Sequence, residues 1–485
     1  MLAYTTPPAQ PCSAGPFVSC AVPWRFAGPS GYHGLDPSQD DPTGILSAGA
    51  AQAVVQDDRG SWFLGAVNGG VWRTKNISAS VPDWRVVTDV PGVPCSAISA
   101  LMTTPGGHIF AGCGGSTSSE MGADWNSHNT GDWAGVMQSI DGGTTWAHLT
   151  SFPPNYYVSA IAVVPGSSAL LGTLLVAARS HFFDRDDGGI WLSEDRGRTF
   201  VRVLAKPVFN LVVDVTSGGG TARVFAALPF PASLDAAVLL STDGGRSFSE
   251  ALGAGLAFPS DHSPFYPCLA LGGGHLYYGA LTVSASDPVA TSSVVHRRPW
   301  PPSSDSDGWT AVPGGPDQHG HGLDDDAMPK DRMALLPHPQ DASLLFVAGN
   351  GDKIAYRVRL EEHEGALSAS WTSMTGSDTS SGAAPHCDCR NFAWDAASGS
   401  LLLVSDGGVF RRTQPERAGG NWYSANGNYG AMEFLSAAWD WRANRWVAGA
   451  QESPRPLPHP TLPPPNPPPT QSSPHKTLPP PPTLP

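Results

Sequence analysis

Ser139-Ile140-Asp141-Gly142-Gly143-Thr144-Thr145-Trp146 is one of three copies of the pattern that decides the fold. The others are Ser193-Glu194-Asp195-Arg196-Gly197-Arg198-Thr199-Phe200 and Ser241-Thr242-Asp243-Gly244-Gly245-Arg246-Ser247-Phe248. All read S-x-D-x-G-x-[TS]-[WF], and each follows a short β-type run such as Ile190-Trp191-Leu192 or Val238-Leu239-Leu240. The Asp can accept hydrogen bonds from backbone N–H groups of its own turn, and the Gly two residues on supplies a positive φ. The hydroxyls close the remaining polar groups, and Trp or Phe opens the next strand with a large apolar side chain. Every residue of the pattern is therefore accounted for as a hairpin turn, without a substrate. The copies recur about every 50 residues, a spacing that predicts a radial array of four-stranded units.

At 485 residues the chain is long enough for a closed ring of such units, which takes about 350–450 residues around one axis. Gly and Pro are abundant and only 14% of residues are charged, which suits many short strands joined by tight turns. The net charge of −14 argues against a non-specific nucleic-acid surface, although a local basic pocket can still oppose the mean field. No segment reads as a membrane span, because the most apolar stretch, 158–178, is broken by Pro165-Gly166-Ser167-Ser168. No basic region followed by an apolar core marks a secretory signal, and no cofactor motif stands out. The Gly pairs in Asn68-Gly69-Gly70, Asp187-Gly188-Gly189 and Asp406-Gly407-Gly408 are turns rather than phosphate loops, since no helix follows them.

Seven cysteines (Cys12, Cys20, Cys95, Cys113, Cys268, Cys387 and Cys389) leave at least one unpaired. Cys95 and Cys113 fall on neighbouring strands of one unit, which permits a disulfide without requiring it, and Cys12 and Cys20 can close a small N-terminal loop. Asn76-Ile77-Ser78 is a glycosylation sequon in an expected surface turn, relevant if the chain is secreted.

Three regions follow from composition. Residues 1–45 are irregular and rich in Pro and Gly; 46–451 carry the repeats; 452–485 are about half Pro, which favours extended polyproline II. Within 46–451 the strand runs group into seven units, and a partial eighth begins at Phe434-Leu435-Ser436-Ala437-Ala438-Trp439 and Trp446-Val447-Ala448-Gly449. The expected fold class is thus all-β, with four-stranded antiparallel blades around an axis. Either N-terminal strands complete the eighth blade, or the chain ends in a truncated or alternative form.

The S-x-D-x-G-x-[TS]-[WF] copies resemble the Asp-box, or bacterial neuraminidase repeat, of sialidase-like and sortilin-like β-propellers. The resemblance extends from about Ala48 to Gln451 and includes Asp406-Gly407-Gly408-Val409-Phe410-Arg411 and Gly420-Asn421-Trp422-Tyr423-Ser424. It implies a propeller whose Asp-box turns lie on one face and whose ligands bind on the other. The residues expected to be structural are Ser139, Asp141, Gly143, Trp146, Ser193, Asp195, Gly197, Phe200, Ser241, Asp243, Gly245 and Phe248.

The best candidate site is His386-Cys387-Asp388-Cys389-Arg390, ahead of the seventh inner strand. On a strand, residues two apart share a face, so His386, Asp388 and Arg390 project together. A carboxylate between imidazole and guanidinium can hold a substrate hydroxyl or perform acid–base work; the same triplet can equally be a buried network locking one blade to the next. Asp331, beside Arg332, repeats the theme before the sixth blade. His319, His321, Asp324 and Asp326, in a Gly-containing loop, are candidate metal ligands, with a solvated acidic loop as the plainer reading.

Three functions compete. A sialidase needs an arginine cluster and an Arg-Ile-Pro-like motif, and none precedes Ser139. Xyloglucan-degrading propellers resemble the first blade, but Val67 stands where they carry an Asp, so their acid/base pair does not carry over; Asp388 and Asp331 are possible substitutes in a glycoside hydrolase. The third reading is a non-catalytic propeller that binds a carbohydrate or protein through a face furnished by Trp125, Trp133, Phe182, Phe183 and Tyr266. It is similar to sortilin-type receptors, whose cysteine-rich module and membrane span are not seen here, or to photosystem assembly factors. The third is the expected function and the hydrolase the alternative. The tail is a candidate ligand for a polyproline-reading module.

Overall fold

A computed structural model describes residues 32–33, 46–116, 129–130, 133–165, 172–180, 187–215, 221–229, 233–286, 291–304, 307–315, 333–349, 355–386, 388–431, 434–441 and 445–450. Seven four-stranded antiparallel sheets succeed one another along the chain, each built from four consecutive strands. Their innermost strands are Ala51–Gln56, Ile98–Thr104, Tyr156–Val164, Asn210–Asp214, His262–Gly272, Ala334–Pro337 and Asn391–Asp395, here numbered as blades one to seven. Each inner strand packs against the next, and the seventh packs against the first. The molecule is a seven-bladed β-propeller, with a single short 3₁₀ turn, Leu234–Ala237, among the described residues.

Ring closure corrects the expectation of an eighth blade. Ala48 N–H donates to Gly407 O (2.8 Å) and Tyr429 Oη to Ala50 O (3.2 Å), so blade seven is sealed directly to blade one. No gap between them is left for another blade. Phe434–Asp440 and Arg445–Ala450 form a two-stranded hairpin instead. Each run has the strand signal of a blade, but closure depends on contacts between residues hundreds of positions apart. Upstream, Tyr32–His33 pairs with Leu46–Ser47, so part of the stretch expected to be irregular is strand. The Pro-rich tail lies outside the described residues.

Two devices lock blade to blade. The first is a glycine in the second strand that receives a branched side chain from the next inner strand. A Cβ on Gly65 would stand 2.7 Å from Ile98 Cγ2, and one on Gly112 would stand 2.4 Å from Val158 Cγ1. No substituent fits either hole. The second is a tryptophan in, or immediately before, the outermost strand. Trp84, Trp309, Trp371 and Trp422, in blades one, five, six and seven, donate their indole N–H to Ala425, Leu252, Pro313 and Met374 carbonyls at 2.6–2.8 Å. Each acceptor lies just past the outer strand of the preceding blade, where its carbonyl has no ladder partner. In blades two to four this aromatic position is the last residue of the S-x-D-x-G-x-[TS]-[WF] pattern.

Candidate functional site

The three patterned turns are built alike. Ser139, Ser193 and Ser241 Oγ donate to Asp141, Asp195 and Asp243 Oδ1 at 2.7–2.8 Å, and accept from Gly143, Gly197 and Gly245 N–H at 2.8 Å. The other carboxylate oxygen accepts from Thr145, Thr199 or Ser247 hydroxyl at 2.6–2.7 Å. With its oxygens filled by its own turn, each Asp is committed to structure. Hydrogen bonds from the Thr199 hydroxyl and N–H hold Asp195 down at about 2. Burial acts against the charge of Asp243, but Ser247 and Ser241 outweigh it and set that carboxyl at about 2 as well.

A carboxyl held below its ordinary 3.8 stabilises the fold fully above that value, and the contribution fades as pH falls towards about 2. Thermal midpoints measured from pH 5 to 2 should therefore drop steeply below pH 4. In Asp195→Asn with Asp243→Asn the drop should be shallower, from a lower starting stability; an unchanged acid limb would show that these turns do not set it.

Antiparallel order puts the turns between second and third strands, and the approaches to the inner strands, on the opposite face. There Arg390 Nε donates to Asp406 Oδ1 at 2.6 Å, its terminal nitrogen also contacts that oxygen, and Nη1 donates to Gln52 Oε1 at 2.6 Å. Both charged side chains are 0% exposed. Arg390 thus ties the Asp406-Gly407-Gly408 turn of blade seven to the inner strand of blade one. His386 packs on the same turn, so closely that a Cβ on Gly407 would lie 2.4 Å from the His386 Cβ.

The shared-face argument for His386, Asp388 and Arg390 does not hold in this backbone. The strand begins only at Asn391, and Asp388 has φ +57°, left-handed rather than extended, so alternation does not apply. Asp388 is nevertheless buried, as is Arg390. Sequence reasoning missed Asp406 and Gln52, because it treated the Asp-Gly-Gly segment only as a turn signal.

Asp331, His319, His321, Asp324 and Asp326 lie outside the described residues, as do Cys387, Trp125, Phe182 and Phe183. Among the described residues no group of three or more His, Cys, Asp or Glu is placed to hold a metal ion. Val67 is fully buried in the first blade. Asp187, in the third blade, is bonded to Tyr156 Oη (3.1 Å) and Arg202 Nη2 (3.0 Å).

A row of rings crosses blades two to five on this face. Trp133 meets Tyr157 at 6.2 Å between centroids, and Phe209 meets Tyr266 at 4.7 Å. Between the pairs, the Arg179 guanidinium lies 4.1 Å from the Tyr157 centroid and 5.1 Å from that of Phe209. Ring faces carry negative charge, so a sandwiched guanidinium joins the pairs into one strip. Tyr157, Arg179 and Tyr266 are buried, whereas Trp133 and Phe209 are half-buried and offer apolar surface to a ligand. Trp133 and Tyr266 were among the aromatics expected on this face; Tyr157, Phe209 and Arg179 were not.

No protein-family model and no curated protein matches the chain. Among solved structures it is similar to an ancestral GH74 enzyme (16% identity, TM-score 0.55, covering 83% of this chain and 49% of that one). It is also similar to the GH74 xyloglucanase from Xanthomonas campestris (17%, 0.53, 84% and 58%) and to the Niastella koreensis GH74 enzyme (15%, 0.51, 81% and 56%). At such identities the likeness shows the propeller fold alone. The chain spans about half the length of these three GH74 structures.

Proposed function

We propose that this chain is an Asp-box propeller of the sialidase-like and sortilin-like class that binds a carbohydrate chain on the face opposite its Asp-box turns. The observation that supports this is the strip from Trp133 through Tyr157, Arg179 and Phe209 to Tyr266. A pyranose ring offers a face of C–H groups to an indole or phenyl ring and hydroxyls to the side. Aromatic surface with a few fixed polar groups is the usual make-up of a ligand site. Successive sugars of an extended glucan can then span several blades. The buried Arg390–Asp406–Gln52 tie keeps the blade seven side of that face rigid.

Glycoside hydrolysis is the second reading, favoured by the likeness of the fold to GH74 enzymes, one of them a xyloglucanase. Asp388 is then the residue to test, and Asn suits its left-handed backbone as well as Asp does.

The experiment is titration of the purified chain with xyloglucan and with sialylated oligosaccharides by calorimetry, with reducing-sugar release followed in parallel. Xyloglucan is expected to bind, with Trp133→Ala and Phe209→Ala each losing about 1–2 kcal/mol, roughly tenfold in Kd. Sugar release that disappears in Asp388→Asn replaces binding by hydrolysis. Folded protein that takes up no glycan removes the carbohydrate reading altogether.

A further inference from the structure

The first blade reaches its outer strand through a loop, 75–83, in place of an S-x-D-x-G-x-[TS]-[WF] turn. This loop contains Asn76-Ile77-Ser78, the one N-x-[ST] triplet in the chain. Its conformation is fixed from below: Ile77 is 2% exposed in the core of blade one, and Ser78 Oγ donates to Asp395 Oδ2 of blade seven at 2.8 Å. Asn76 itself is exposed. Its Oδ1 accepts from Ser78 N–H at 3.1 Å, and its Nδ2 donates to no acceptor among the described residues. Beside it lies an open hollow of ≈ 430 Å³, edged by Arg73, Lys75, Val81, Asp83 and Arg85. Val81 stands there 70% exposed, an apolar surface with nothing described above it.

A second, independent observation concerns redox chemistry. Cys95 and Cys113 form a disulfide within the propeller, with Cα atoms 6.0 Å apart and both residues buried. The bond joins the approach to blade two to that blade's second strand. Disulfides of this structural kind form and persist where the surroundings are oxidising, and cytosolic thiol systems oppose them. The lumen that permits them is also where an Asn in an N-x-[ST] triplet is glycosylated.

We propose that Asn76 carries an N-linked glycan and that the chain matures in an oxidising, glycosylating compartment. The amide Nδ2 attacks the anomeric carbon of a lipid-pyrophosphate-linked oligosaccharide. The C1–Nδ2 bond forms as the bond from C1 to the pyrophosphate oxygen breaks, the lipid pyrophosphate leaves and the amide proton passes to solvent. Ser78 serves this transfer before its hydroxyl is taken up by Asp395 on folding. The first sugar has the hollow to occupy, with its C–H face over Val81 and its hydroxyls near Lys75 and Arg85. The loop lies on the face of the Asp-box turns, since Arg73, at the hollow's edge, donates to Gly142 O at 2.8 Å. A glycan there shields the seam between blades one and seven and leaves the aromatic strip open. The proposal does not depend on the ligand of that strip.

The test is made on the full chain immunoprecipitated from the cells that produce it. Peptide-N-glycosidase treatment should give one downward step in mobility, with Asn76 converted to Asp in the peptide mass spectrum. A tagged Asn76→Gln chain should lack the step, whereas Ser78→Thr, which keeps the triplet, should retain it. In chain denatured without reductant, a maleimide should leave Cys95 and Cys113 unlabelled. Recovery of only unmodified Asn76 peptide overturns the glycan, and labelling of Cys95 and Cys113 in the denatured, unreduced chain overturns the compartment. Because wild-type chain suffices for both readouts, misfolding of a variant does not blunt the test.

Discussion

Asp406→Asn should destabilise the fold by about 3–5 kcal/mol, read as a lower denaturant midpoint at unchanged slope. The substitution keeps the shape of the side chain and removes its charge, leaving the Arg390 guanidinium uncompensated where neither partner has exposed surface. An uncompensated buried charge costs several kcal/mol, whereas the intact pair is nearly balanced against its own desolvation. The double replacement Arg390→Met with Asp406→Leu should therefore recover most of the loss. A cycle through the two single variants and the double one isolates the coupling. If Asp406→Asn keeps full stability yet loses glycan binding, the pair is part of the ligand site rather than the brace proposed for it. Stability lost in the single variant and restored in the double fixes it as a brace.

The Arg390–Asp406 pair also marks what sequence can and cannot show. The patterned turns were legible because their chemistry is local: Asp141, Asp195 and Asp243 bond within four residues of themselves. Seven groups of strands were legible for the same reason, each blade being a run of hairpins. Nothing in the sequence marks the indole bonds of Trp84, Trp309, Trp371 and Trp422 to the preceding blade. Those acceptors are bare carbonyls and carry no side-chain signal. Gln52 is 338 positions from Arg390, and only ring closure brings them together. Closure likewise decides that Phe434–Asp440 and Arg445–Ala450 stand as a hairpin, although their local pattern matches any other pair of strands. Where one backbone angle departs from the strand region, as at Asp388, the period-two rule fails and the inferred triplet loses its geometry.

Gly245→Ala should cost about 2–5 kcal/mol, far more than one methyl group on a surface turn would suggest. Two separate effects add. Gly245 has φ +90°, where a Cβ costs about 1–2 kcal/mol. The added Cβ would also lie 2.6 Å from Leu175 Cδ1, which belongs to the second strand of the preceding blade. Leu175 is fully buried and has nowhere to move, so about 1–3 kcal/mol of overpacking follows. Gly60 separates the two terms: its φ is +80°, but nothing lies within 4 Å of its missing Cβ. Gly60→Ala should therefore lose only the backbone part, about 1–2 kcal/mol. Equal losses at the two positions would mean that the turn does not dock on its neighbour and that its glycine is needed for the backbone alone. A markedly larger loss at Gly245 shows that the fifth residue of S-x-D-x-G-x-[TS]-[WF] also serves as the contact by which one blade rests on another. A Cβ on Gly197 would likewise stand 2.5 Å from Leu149, and one on Gly143 3.2 Å from Phe63, each in the preceding blade. The pattern then serves in three blades to close a hairpin and to fit it to its neighbour, both structural tasks.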